Sequence, residues 1–173
     1  MVPGSRNPEQ GQLLRSRKHR FRTNQSSIQN IDAELFVRLL RYITIEEGEV
    51  GLNAMHEGKI CESLLYVFKA FGDDTNVLRG VEVIENAVKQ HKPLRFAFAE
   101  AGANEYLVDI CKQYALHEEI QIHTWSAIAN MINKEKNNCD RTMNHGGAEA
   151  ISKTLRLHRD TTQSNIIQII VVK

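Results

Sequence analysis

Seven histidines and three cysteines are the residues of this chain best suited to metal binding or nucleophilic attack. The run His117-Glu118-Glu119-Ile120-Gln121-Ile122-His123 superficially resembles a zinc-binding helix. Such a helix needs its two imidazoles four residues apart, and a spacing of six turns them to different faces. Cys139 and His145 lie across a short turn and form the one pair that a Cys–His nucleophile could use. Cys61 and Cys111 fall among apolar helix positions, where a free thiol behaves as a small hydrophobe. Gly146-Gly147 lacks the Lys-Ser or Lys-Thr that completes a phosphate-cradling loop. These patterns support no catalytic, metal or cofactor site and no small-molecule substrate. An enzyme built on Cys139 and His145 is kept as an alternative.

Polar residues with another purpose stand elsewhere. Arg15, Arg17, Lys18, Arg20 and Arg22 make a dense basic cluster around Phe21. Such a cluster can serve as a nuclear-localisation signal, touch nucleic acid or membrane, fold back on an acidic groove, or remain a solvated tail. Further on, Arg79, Glu82 and Asn86 recur at steps of three and four, as do His123, Ser126 and Asn130, so each trio occupies one helix face.

The elements that carry these residues are read from hydrophobic periodicity. Residues 1–25 have none and are rich in Arg, Ser, Gln and Asn, which predicts a disordered basic arm. From Ile28, Ile31, Leu35, Phe36, Leu39, Leu40 and Ile43 the spacing predicts an amphipathic helix, capped by Ser26 or Ser27 and ended by Glu46-Glu47-Gly48. Similar faces follow at Ile60–Phe71, Val77–Val88, Leu107–Tyr114 and Ile120–Met131. Pro93, tolerable only in a first turn, predicts a short helix over Leu94–Ala101. Gly102 allows a sharp bend. Lys134–Asn138 reads as a plain loop, with short helices around Arg141–Asn144 and Ala148–His158. Leu52, in a Gly-flanked segment, is expected to be partly exposed. No period-two strand pattern is convincing, so the fold class is all-α.

Composition fits that class: 42% of the 173 residues are hydrophobic, with only 3 Pro and 10 Gly. No stretch approaches the 18 apolar residues of a membrane-crossing helix, and the polar start lacks a signal-peptide core. The odd set of separated cysteines therefore suggests reduced thiols in the cytoplasm or nucleus. The net charge of +1 hides an asymmetry. Residues 1–24 hold six Lys or Arg and one acid, leaving 16 basic and 20 acidic residues of the 22 and 21 in the chain.

The chain also repeats itself. A shift of 43 residues sets Glu57 on Glu100, Leu64 on Leu107, Leu65 on Val108, Val67 on Ile110 and Phe71 on Tyr114. A shift of 44 to 45 sets Asn86 on Asn130 and Gly102-Ala103 on Gly147-Ala148. A period in the low-to-mid forties belongs to HEAT and armadillo arrays. Glu100-Ala101-Gly102-Ala103, the run Trp125-Ser126-Ala127-Ile128-Ala129-Asn130-Met131, and His145-Gly146-Gly147-Ala148-Glu149-Ala150-Ile151 resemble the armadillo family's helix junctions and third-helix pattern. The resemblance covers roughly residues 53–163. It implies a right-handed superhelix of stacked armadillo-like repeats, an α-solenoid of about three units over 26–173 with an incomplete last unit.

The resemblance also implies a function: a non-enzymatic adaptor that holds an extended peptide or helix of a partner protein along its third helices. Arg79, Glu82, Asn86, His123, Ser126 and Asn130 would line that groove, with the two asparagines binding ligand backbone as the matching ones do in importin alpha and beta-catenin. An importin-alpha-like transport adaptor is the alternative. That protein places tryptophan four residues before the asparagine, where this chain has Glu82 and Ser126. Trp125 is one residue out, a rotation of about 100°. Nucleic acid is expected to engage the basic arm if any part, and no membrane partner is expected. The C-terminal run Ile166–Val172 is β-branched and lacks the polar outer face of a capping repeat, so it reads as an uncapped edge.

Overall fold

The computed structural model describes residues 32–159, apart from Gly72 and the side chain of Phe71. The predicted caps Ser26 and Ser27, the arm over 1–25 and the run Ile166–Val172 lie outside the described residues. Every regular element among those described is a helix. In chain order these are α1 (32–46), α2 (Gly48–Glu57), α3 (Ile60–Phe71), α4 (Asp74–Gln90), α5 (Lys92–Glu100), α6 (Ala103–Gln113), α7 (Glu118–Ile132), α8 (Lys136–Asn144) and α9 (Gly147–Leu157). Among the described residues no helix is long and apolar enough to cross a membrane.

Local chemistry explains most boundaries. Asp73 caps α4 by accepting from the Asn76 amide at 2.8 Å. The His91 imidazole does the same for α5 through Leu94 N at 3.2 Å, and Pro93 occupies the first turn, where its missing N–H costs nothing. Gly102 and Gly146 precede α6 and α9 with φ of +89° and +90°, a conformation that only glycine adopts freely. At the corresponding junction before α3 stands Lys59, with φ of +51° and the strain a side chain adds there.

Helices of 10, 12 and 17 residues (α2, α3, α4) are followed by helices of 9, 11 and 15 (α5, α6, α7). Then come helices of 9 and 11 residues (α8, α9). The matched Leu64 and Leu107 are both fully buried. The core is continuous across these groups, and α4 packs most extensively on α7. At one close approach the ring of Phe68 lies over Gly80, where an added Cβ would fall 1.9 Å from Phe68 Cζ. In the next group the matching positions hold Cys111 and Thr124, both buried. A large–small pair has been replaced by two residues of intermediate size.

Three expectations are corrected. Residues 48–57 form α2, and Leu52 is buried with Met55 instead of partly exposed. The loop expected over Lys134–Asn138 ends early: α8 starts at Lys136, and Asn138 is buried, its side-chain amide donating to Met131 O at 2.9 Å. A polar run thus forms a helix because its polar side chains have partners inside. In α1 the buried line is Ala33, Val37, Leu40 and Thr44, while Leu35 and Leu39 are exposed.

Leu64→Ala and Leu107→Ala are each expected to lower stability by roughly 2–5 kcal/mol through lost burial and a residual cavity. Leu116→Ala, at a site 76% exposed, should change it by less than about 0.5 kcal/mol. Urea unfolding followed by fluorescence of the single tryptophan measures all three. On the same assay Lys59→Gly should stabilise by about 0.5–1 kcal/mol and Gly102→Ala should destabilise by a similar amount.

Candidate partner-binding face

The two predicted trios lie on α4 and α7, the neighbouring long helices. All six residues are half-buried. Four of them belong to ion pairs or hydrogen bonds between helices. Arg79 reaches Glu34 of α1 at 3.0 Å, and Glu82 receives Arg41 Nε of α1 at 2.5 Å. His123 Nδ1 donates to Glu85 Oε2 at 2.6 Å, and Ser126 Oγ donates to Glu85 Oε1. His123 Nε2 also lies 3.9 Å from Glu82 Oε1. The face is therefore laced shut along both of its seams, α1/α4 and α4/α7.

Glu85, Glu34 and Arg41 are the residues that sequence reasoning missed. Glu85 precedes Asn86 and follows Glu82 by three, so helical spacing alone could have admitted it. Its role became visible only with α7 alongside, because its two carboxylate oxygens bridge to a different helix.

Asn86 and Asn130 behave differently. Both are half-buried, and among the described residues neither side-chain amide has a hydrogen-bond partner. Other buried amides are mostly used: Asn104 donates to Asn138 O and Thr142 Oγ1, and Gln121 donates to Cys111 O and Tyr114 O, while the buried Asn76 side chain has no hydrogen bond among the described residues. Two half-covered amides with unused donors and acceptors, at equivalent places on adjacent helices, are open to a ligand that brings its own.

Electrostatics at the α4/α7 seam favour the charged pair. The hydrogen bond to Glu85 raises the His123 pKa above its ordinary 6.5; burial opposes this, and the charges of Glu85, Glu82 and Glu119 add to it. Burial works against the Glu85 carboxylate, yet the hydrogen bonds from His123 and Ser126, with the positive charge of His123 and Lys89, outweigh it and hold its pKa below 4.5. Because Ser126 donates to Glu85 and not to His123, the three side chains are not arranged as a Ser–His–acid triad.

Trp125 points away from this face. It is 2% exposed, and its indole N–H is shared between Gln121 Oε1 at 3.1 Å and Thr154 Oγ1 at 3.2 Å. Thr154 in turn donates to Gln121 Oε1 at 2.8 Å, and Gln121 donates to α6, so α6, α7 and α9 are held by one buried network. The tryptophan is structural.

The Cys–His alternative gains no geometry. His145 Nε2 faces Asp109 Oδ1 at 2.8 Å, and no hydrogen bond joins it to Cys139 among the described residues. Burial pushes the Cys61 thiol up to about 12 and that of Cys111 well above its ordinary value, which leaves neither as thiolate. Among the described residues no group of three or more His, Cys, Asp or Glu could hold a metal ion. A depression of about 390 Å³ at the N-terminal ends of α4 and α7 is lined by Asp74, Glu118 and Glu119, which cancels the attraction those helix ends would have for an anion. No protein-family model matches the chain, and comparison with curated proteins and with solved structures finds no match.

The raised His123 pKa contributes stability in full below about pH 6.5, and this is lost as pH rises through the folded-state value. The lowered Glu85 pKa contributes above about pH 4.5, and this is lost as pH falls through its folded-state value. The seam is therefore strongest between these limits. Unfolding free energy measured from about pH 5 to pH 9 should fall above about pH 6.5 in the native chain, and His123→Gln should flatten that fall.

Proposed function

We propose that this chain is a non-enzymatic protein-binding adaptor. In this reading α2–α4, α5–α7 and α8–α9 are successive armadillo-like units of a short right-handed superhelix. The groove along α1, α4 and α7 holds an extended peptide or a helix of a partner. The observation that carries it is the pair of half-buried, unpartnered amides of Asn86 and Asn130, 44 residues apart on neighbouring helices. Helices packed about 8–10 Å apart would present these amides at a spacing between those of two and three extended residues, roughly 6.6–10.2 Å. Each amide can donate and accept, as a peptide group requires. The recurrence of helix lengths and the left-handed glycines Gly102 and Gly146 support the stacked arrangement.

An importin-alpha-like adaptor is favoured less. Its grip on basic signals uses tryptophans on the groove, and here Glu82 and Ser126 stand there while Trp125 is buried. Three free cysteines suit the cytoplasm or nucleus, which we propose as the site of action.

Selection of binders from a displayed library of extended peptides, followed by calorimetry on the best binder, tests the groove. Replacing both Asn86 and Asn130 by alanine should weaken binding by about 1–3 kcal/mol, at about 0.5–1.5 kcal/mol for each hydrogen bond. The melting temperature should barely move. Unchanged affinity, or unfolding of the double variant, would remove the asparagines from the binding role.

A further inference from the structure

Among the described residues, one side of α1 and α2 is left uncovered where the equivalent sides of later helices are buried. Leu35 and Leu39 share one side of α1, and Val50 and Ala54 share one side of α2; all four are exposed, Leu39 by 56% and Val50 by 75%. The backbone of α2 returns closely along the end of α1, where a Cβ at Gly51 would fall 2.6 Å from Ile43 O, so the two sides adjoin. Forty-four residues on, the counterparts of Leu39, Val50 and Ala54 are Val83, Leu94 and Phe98, all completely buried. After a further 44 they are Ala127, Asn138 and Thr142, again buried. These positions are the ones an element on the N-terminal side covers, and on α1 and α2 no described element does so.

Over α1 and α2 carboxylates outnumber cations. From residue 32 to residue 59 there are six carboxylates, Asp32, Glu34, Glu46, Glu47, Glu49 and Glu57, against Arg38, Arg41 and Lys59. Glu46, Glu47 and Glu49 are exposed, and among the described residues none of them has an ion-pair partner. A complementary segment exists in the same chain. Residues 13–22, Leu13-Leu14-Arg15-Ser16-Arg17-Lys18-His19-Arg20-Phe21-Arg22, combine three large apolar side chains with five permanent cations. With a helix start expected at Ser26 or Ser27, the segment and the residues after it up to 26 can extend roughly 46–50 Å at about 3.3–3.6 Å per residue. That exceeds the roughly 29 Å between residues 27 and 46 along a helix, so the segment can fold back along the whole face.

We propose that residues 13–22 dock on this end face of their own chain. Leu13, Leu14 and Phe21 cover Leu35, Leu39, Val50 and Ala54, and the cations engage Glu46, Glu47 and Glu49. The segment then takes the place a preceding helical unit would occupy, and the basic cluster is occupied unless a stronger acidic partner withdraws it. This inference rests on the stacked-unit reading above.

Hydrogen exchange of the full-length chain tests it. Charge reversal at Arg15, Arg17, Arg20 and Arg22 (each →Glu) should speed amide exchange over residues 35–50 by about tenfold or more, the size of effect expected when a covering segment is released. Adding Glu46→Arg, Glu47→Arg and Glu49→Arg to that variant should restore the original rates. Light scattering should give a monomer throughout, with protection independent of protein concentration. Exchange indifferent to the first reversal, or not restored by the second, overturns the docking. Protection that grows with concentration overturns it too, because a second copy then covers the face. If the docking fails while Leu64→Ala and Leu107→Ala remain equally damaging, the stacked reading stands without it; unequal damage defeats the stack itself.

Discussion

The packing of α4 on α7 is the contact on which the rest of the structure depends. Neither helix can bury its own apolar side, so residues such as Val81, Ile84 and Val88 of α4 and Ala127, Ile128 and Met131 of α7 are buried only with other helices packed on them. At about 25 cal/mol per Å² of buried apolar surface, a seam of this kind outweighs any single hydrogen bond in the molecule. It also sets α4 and α7 side by side, and the features of the candidate face at the α4/α7 seam follow from that neighbour relation. Glu85 can meet His123 and Ser126, and Asn86 and Asn130 come to stand in a row.

Apolar packing is permissive about register, and the buried polar groups are not. Asn104, Asn138 and Thr142 tie α6 to α8, and Gln121, Trp125 and Thr154 tie α7 to α6 and α9. A helix sliding by one residue would leave these groups unpaired inside the core, at about 1–3 kcal/mol each. Two acceptors are left over among the described residues: the side-chain oxygens of Asn76 and Asn104 are buried without a hydrogen-bond partner.

The functional reading and the end-face reading draw on one physical contrast. A half-buried polar group without a partner, such as Asn86 or Asn130, favours a ligand that supplies hydrogen bonds. An exposed apolar side, such as Leu35 with Leu39, favours whatever removes it from water. Arg79, Glu82, His123 and Ser126 are already paired, with Glu34, Arg41 and Glu85, so in the proposed groove they would shape the surface more than hold a ligand.

Much was legible in the sequence because it depends on neighbours along the chain. Periodicity over Ile60–Phe71, the proline at 93 and the glycines at 102 and 146 specify helices and their ends through local sterics. The 43-residue match of Leu64 with Leu107 was readable because equivalent core positions keep equivalent side chains. The segments misread were those whose local signals are weak. Gly48–Glu57 mixes glycine, acids and few apolar residues, and Leu52 is buried only because other helices close over it. Lys136–Asn144 is polar apart from Cys139 and Met143 and folds as α8 because Asn138 and Thr142 bond inside the core. The sequence by itself determined an all-helical chain with recurring lengths and two matched asparagines, since helix formation and capping are local. Only the tertiary structure decided that Trp125 is a core residue, that Glu85 bridges two helices and that Leu35, Leu39 and Val50 are exposed. Each of these depends on which side chain a different helix brings within a few ångströms, and no spacing along one helix contains that information.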